Sequence, residues 1–144
     1  MNITDIIARA ASGNAKVRTQ RSNFMRIQLS NHGALAALTD GKATRLDVDQ
    51  LIAARNMAEA IRSVAKLGMQ YRDILGAAHR ALVEIGKRTL ANGQPSATPE
   101  EIGALSDLLE LHDAQLEQCT VIQMERAIKL VKDRVRSKQV SRIV

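Results

Sequence analysis

Residues 98–135, TPEEIGALSDLLELHDAQLEQCTVIQMERAIKLVKDRV, decide the fold. Thr98 stands as an N-cap, Pro99 at the first helical position, and Glu100 and Glu101 in the first turn. That order satisfies free amides and complements the positive end of a helix dipole. Ile102, Leu105, Leu109, His112 and Leu116 then recur at spacings of three and four, and so do Val121, Met124, Ile128, Val131 and Val135. Each set is one stripe of an amphipathic helix. The step from Leu116 to Val121 is five, which throws the second stripe out of phase with the first. Thr120 and Gln123 can form a capping box at the break. The stretch therefore predicts two helices, 99–118 and 121–137, joined by a tight corner. One long helix with a local bulge is the alternative.

Upstream, residues 92–98 (NGQPSAT) are a linker of turn-forming residues. Before it, Tyr71, Ile74, Leu75, Ala78, Leu82 and Ile85 mark a helix over about 70–91. Thr44 and Asp47 can cap a further helix that runs to about Leu67 and stops at Gly68, with Val48, Leu51, Ile52, Ala58 and Ile61 on its apolar face. The short step around Gly68 makes 45–91 an antiparallel helical hairpin. Asn31 can cap a short helix that ends at Asp40-Gly41, and Thr4 another over 5–12. Residues 14–30 read two ways: Met25, Ile27 and Leu29 alternate as in a strand, whereas Phe24 and Ile27 suit a helix. The expected fold is all-α, a compact bundle of about four to five helices. It comprises the hairpin 45–91 and the C-terminal helices 99–118 and 121–137. The expected division is a basic N-terminal arm with a short helix (1–30), a bundle domain (31–137) and a frayed basic tail (138–144).

Composition agrees with helices packed on helices. The chain has 144 residues, enough for one buried core. Its apolar residues, 45% of the total, are Ala, Leu, Ile, Val and Met, with Phe24 and Tyr71 the only aromatics. Such a mixture disfavours a β-sandwich or barrel. The single cysteine, Cys119, cannot form an internal disulfide. No signal peptide is expected from MNITDIIARAASG, and no run of about eighteen apolar residues exists to span a membrane. The expectation is a cytoplasmic protein without membrane contact.

The chemistry-bearing residues do not assemble a reaction. His112 sits in an apolar stripe and Asp113 one residue round the helix, so the two do not face each other. No His pair flanks a Glu in the zincin spacing, and no Glu stands three residues before His79 or His112 as a di-iron bundle requires. Cys119 lies among Glu117, Gln118 and Glu125, the wrong setting for a thiolate. Gly41-Lys42-Ala43-Thr44 shares only the tail of a phosphate loop. No catalytic residue, metal ligand or cofactor is expected, and the protein is not expected to be an enzyme.

Charge carries the remaining signal. The net charge is +6. Residues 1–45 hold seven bases against two acids, 96–125 hold seven acids and no base, and 126–144 hold seven bases against one acid. Arg18, Arg21 and Arg26 line the arm, and Lys129, Lys132, Arg136 and Lys138 line the last helix and tail. These seven are the candidate nucleic-acid contacts, made to the phosphate backbone. With so few aromatics, stacking on single strands is disfavoured. A helix-turn-helix would need a turn pattern that Asp40-Gly41-Lys42-Ala43 lacks. A host protein is the alternative partner. The neighbouring acidic and basic blocks also predict a homodimer, in which the acidic helix of one copy lies near basic residues of the other.

The segments LDVDQLIAARNMAEAI (46–61) and LELHDAQLEQCTVIQMERAI (109–128) resemble small helical proteins carried by proteobacterial phages and plasmids. The resemblance covers roughly residues 25–132 and has no activity attached to it. It implies a mobile-element accessory role, such as regulation or interference with a host protein, and transfers no functional residue.

Overall fold

The computed structural model describes the backbone of residues 17–137 and side chains from residue 23 onward. Among these residues the chain forms five α-helices and no strand. They are α1 (Val17–Thr39), α2 (Arg45–Ala65), α3 (Arg72–Asn92), α4 (Pro99–Gln118) and α5 (Val121–Arg136), with one 3-10 turn at Met69–Tyr71. The fold is an all-α bundle. The short helix expected over 5–12 and the tail 138–144 lie outside the described residues.

Local chemistry sets the helix starts. The Thr98 amide donates to Glu101 Oε1 at 2.8 Å while the Glu101 amide donates to Thr98 Oγ1 at 3.2 Å. Thr120 and Gln123 repeat the exchange at 3.0 and 3.2 Å. Between these two capping boxes Cys119 is extended (φ −73°, ψ 133°), so 99–136 is two helices with a corner and not one bulged helix. At the start of α2 the Thr44 amide donates to Asp47 Oδ2 at 2.8 Å. That helix ends one to two residues earlier than expected, because Lys66 itself takes the left-handed conformation (φ 58°) and caps it. Gly68 follows at φ 79°, and a Cβ there would lie 2.9 Å from Leu111 Cδ1. The turn therefore favours glycine for its backbone angle, and any side chain there would also have to displace Leu111 of α4.

Two expectations are corrected. Asn31 is not an N-cap: α1 runs unbroken from Val17 to Thr39, and Asn31 is buried in its middle, where its Oδ1 accepts from Gln50 Nε2 at 2.8 Å. The boundary drawn at residue 30 thus falls inside a helix. Ile27 is fully buried while Met25 and Leu29 are exposed, which is helical periodicity rather than alternation. Tyr71 is also not a stripe residue; it belongs to the 3-10 turn and is exposed.

Helix α2 packs against all four other helices, and α4 lies against α1, α2 and α3. The core has two parts. The larger joins Leu35 and Leu38 of α1, Val48 and Leu51 of α2, Leu75, Leu82 and Ile85 of α3, and Leu105, Leu108, Leu109 and Leu111 of α4. The smaller joins Ile27, Met57, Ile61 and Leu116 with Met124, Ala127 and Ile128 of α5. Each fully buried Leu or Ile contributes about 1.5–3 kcal/mol of transfer free energy. At the far end of the bundle, Gln94 Nε2 donates to Ala43 O at 3.0 Å and ties the α3–α4 linker to the α1–α2 turn.

Candidate functional site

Among the residues quoted for the resemblance on α4, Leu109, Leu111, His112, Gln115 and Leu116 turn inward. His112 and Gln115 are both buried, at the step between Leu111 of the larger core and Leu116 of the smaller. Gln115 Nε2 donates to Ala58 O at 3.0 Å and to Leu67 O at 3.2 Å, anchoring α4 to α2 and to the turn after it. Its Oε1 is then left to accept from His112 Nδ1 at 3.2 Å. That assigns the proton to Nδ1 and a lone pair to Nε2, which is buried and has no hydrogen-bond partner. Burial pushes the His112 pKa below its ordinary value, against the bond from Gln115 and the charge of Asp113. Asp113 points elsewhere and accepts from His32 Nε2 of α1 at 2.7 Å. The adjacent His and Asp therefore serve two different helix contacts.

Cys119, at the corner, is half-buried, and burial pushes its thiol up to about 11. It stays protonated at neutral pH and fills space. Among the described residues no group of three or more His, Cys, Asp or Glu gathers as a metal-ligand set. No helix among them is long and apolar enough to cross a membrane.

The candidate contact residues whose side chains are described lie on the outside. Lys129, Lys132 and Arg136 are exposed on α5. At roughly 100° per residue they fall within about 60° of arc, a face they share with Glu125. Arg26 is exposed on α1. Arg18 and Arg21 belong to the first turns of α1, and their side chains, like Lys138, lie outside the described residues. The basic part of α1 and the basic helix α5 both border the smaller core, which takes in Phe24 and Ile27 together with Met124, Ile128 and Val131.

Sequence periodicity missed a second set. Arg55, Glu59 and Arg62 follow one another along one face of α2, and Glu59 is paired with Arg62 at 2.8 Å. Their spacing of four and three is visible in the sequence, but they carry no motif. On α4, Asp107 and Glu110 rim an open groove of about 270 Å³, lined also by Tyr71, Ile74, Leu111 and Ala114.

Fold and surface together define, among the described residues, a charge-segregated bundle of five helices, acidic along the outside of α4 and basic along α5. No protein-family model matches the chain, and neither a curated protein nor a solved structure does.

Proposed function

We propose that the protein is a non-enzymatic accessory or regulatory protein of a mobile element, acting in the cytoplasm, which binds nucleic acid through phosphate contacts from α5 and from the basic start of α1. The observation that carries this role is the common footing of two basic segments far apart in sequence: Ile27 beside Arg26, and Ile128 beside Lys129, belong to one core cluster. Their outer faces expose Arg26, Lys129, Lys132 and Arg136. Cations arranged this way bind a polyanion by releasing its counterions. The test is binding to nonspecific duplex across a salt series. The logarithm of affinity should fall linearly with the logarithm of salt, by about 0.9 per phosphate contact. No binding at low salt would remove nucleic acid as the ligand.

The groove at Tyr71, Ile74 and Leu111 favours a second role, that of a protein-binding inhibitor or adaptor acting on a host protein. Its apolar floor and its rim of Asp107 and Glu110 suit a partner segment carrying an apolar residue beside a base. A homodimer is compatible with either role, the acidic outside of α4 in one copy facing the basic face of α5 in another. Sedimentation as a monomer at high micromolar concentration would exclude it, and dissociation by salt would support its charge component.

A further inference from the structure

We infer that the face of α2 against which α5 packs carries a binding site for a phosphate oxyanion, held by Arg55 and Arg134 with Arg62 beside them. The stripe Arg55, Glu59, Arg62 runs along that face at spacings of four and three. Arg62 is committed to Glu59 by two contacts, Nη2 to Oε1 at 2.8 Å and Nε to Oε2 at 3.4 Å, and its Nη1 reaches Met69 Sδ at 3.5 Å. Arg55 is left over. Its Nε is buried and has no hydrogen-bond partner. Arg134, from α5, is near enough for its charge to act on both Arg55 and Glu59, and His79, from α3, feels Arg55.

The charges of three guanidinium groups thus act on one carboxylate that is already paired with Arg62. The excess of two positive charges lies in a partly buried place, where it is poorly hydrated and costly. Burial, with the repulsion of Arg134 and Arg62, holds the Arg55 pKa below its ordinary value in spite of the attraction of Glu59. An oxyanion offers what this cluster lacks: several acceptor oxygens for the Arg55 Nε–H and for the Arg134 fork, with charge to offset the excess.

This site is separate from the outer face of α5, since Arg134 lies about 140° or more round the helix from Lys129, Lys132 and Arg136. It goes beyond the proposed function and can stand if that fails. The shared chemistry is a phosphoryl group, whether from a nucleic-acid backbone or from a free phosphoryl compound.

Pyrophosphate is the probe, titrated calorimetrically at constant ionic strength with chloride as the competing anion. Saturable binding is expected, weakened about tenfold or more by Arg134→Gln, as for the loss of a charged hydrogen bond. It should survive Lys129→Gln with Lys132→Gln. Arg55→Lys keeps the charge but loses the fork, and should weaken binding in a protein whose circular dichroism is unchanged. If duplex DNA displaces pyrophosphate and itself binds Arg134→Gln more weakly, the phosphate is a backbone phosphate. If pyrophosphate binds and duplex does not compete, the ligand is a free phosphoryl compound. Either result supports the site. Absence of saturable binding, or equal affinity in the folded Arg134→Gln protein, overturns it.

Discussion

Helices α4 and α5 meet at Cys119 and are close in length, yet they use their surfaces differently. Helix α4 lies against three other helices and buries Leu105, Leu108, Leu109, Leu111, His112, Gln115 and Leu116. Helix α5 packs chiefly on α2 and buries only Met124, Ala127 and Ile128. The width of the buried arc follows the number of neighbours, not the hydrophobic pattern alone. A helix with three neighbours must confine its charges to a narrow outer strip, where Asp107, Glu110 and Glu117 stand exposed. A helix with one main neighbour keeps most of its circumference at the surface. On this comparison α4 is a structural element and α5 a surface-bearing one.

The sharpest way to break it is to cut equal amounts from both. Leu109→Ala removes a fully buried side chain from the larger core, with α1, α2 and α3 around it. It should cost about 3–5 kcal/mol, the upper part of the range for such truncations. Ile128→Ala lies in the smaller core at the edge of the bundle, where neighbours can relax, and should cost about 2–3 kcal/mol. Equal costs in urea denaturation would mean that α5 is as deeply embedded as α4.

A second cut tests the polar step of α4. Gln115→Leu keeps the volume but leaves Leu67 O and the His112 Nδ1–H without the partners that Gln115 supplies. The expected loss is about 1–3 kcal/mol. A neutral result would show that solvent reaches those groups.

The third prediction concerns pH. The folded pKa of His112 is below its unfolded value of about 6.5, so neutral His112 contributes stability that is fully present above about pH 6.5. That contribution is lost as pH falls from there through the folded pKa. His79 is lowered too, by burial and then by Arg55 and Arg80, and adds a slope of the same sign. Glu101 acts lower still. Burial alone would raise it, but the bonds from Arg88 and the Thr98 amide hold it below the usual carboxylate range. Its share is present above about pH 4.3 and lost below. His112→Gln should be mild at pH 8 and should flatten only the upper part of the acid limb. An unchanged limb in chemical denaturation from pH 8 to 5 would show that His112 is not kept neutral by the fold.

What could be read from the sequence was what neighbours in sequence control. The corner at 119–120 follows from the phase break between Leu116 and Val121 and from the Thr120–Gln123 box, all within eight residues. Burial of Leu108, Leu111 and Gln115 could not be read that way, because it depends on how many helices surround α4. Asn31 misled for the same reason: an Asn before a short apolar run is a good cap, but its partner here is Gln50, nineteen residues on. The exposed positions of Lys129, Lys132 and Arg136 follow from the α5 stripe. The convergence of Arg134 with Arg55 required the packing of α5 on α2, which no local pattern encodes.

The last prediction has the smallest effect on stability and bears most directly on function. Replacing Lys129, Lys132 and Arg136 together with Gln keeps good helix formers and leaves Met124, Ala127 and Ile128 untouched. Exposed charges of this kind change stability by about 0.5 kcal/mol or less each, so the melting temperature should barely move. Glu125 shares the face, and removing its cationic neighbours costs only weak, solvent-screened attraction. If α5 contacts phosphates, affinity for duplex should fall by a similar factor on every sequence, and the salt slope should shrink by about one unit per lost contact. Arg26→Gln should add to the loss, because α1 and α5 stand on one core and would meet the same ligand. An unchanged slope with an unchanged melting temperature would assign the face to solvent. The surface left free by the packing of α5 would then have to be used by a protein partner instead.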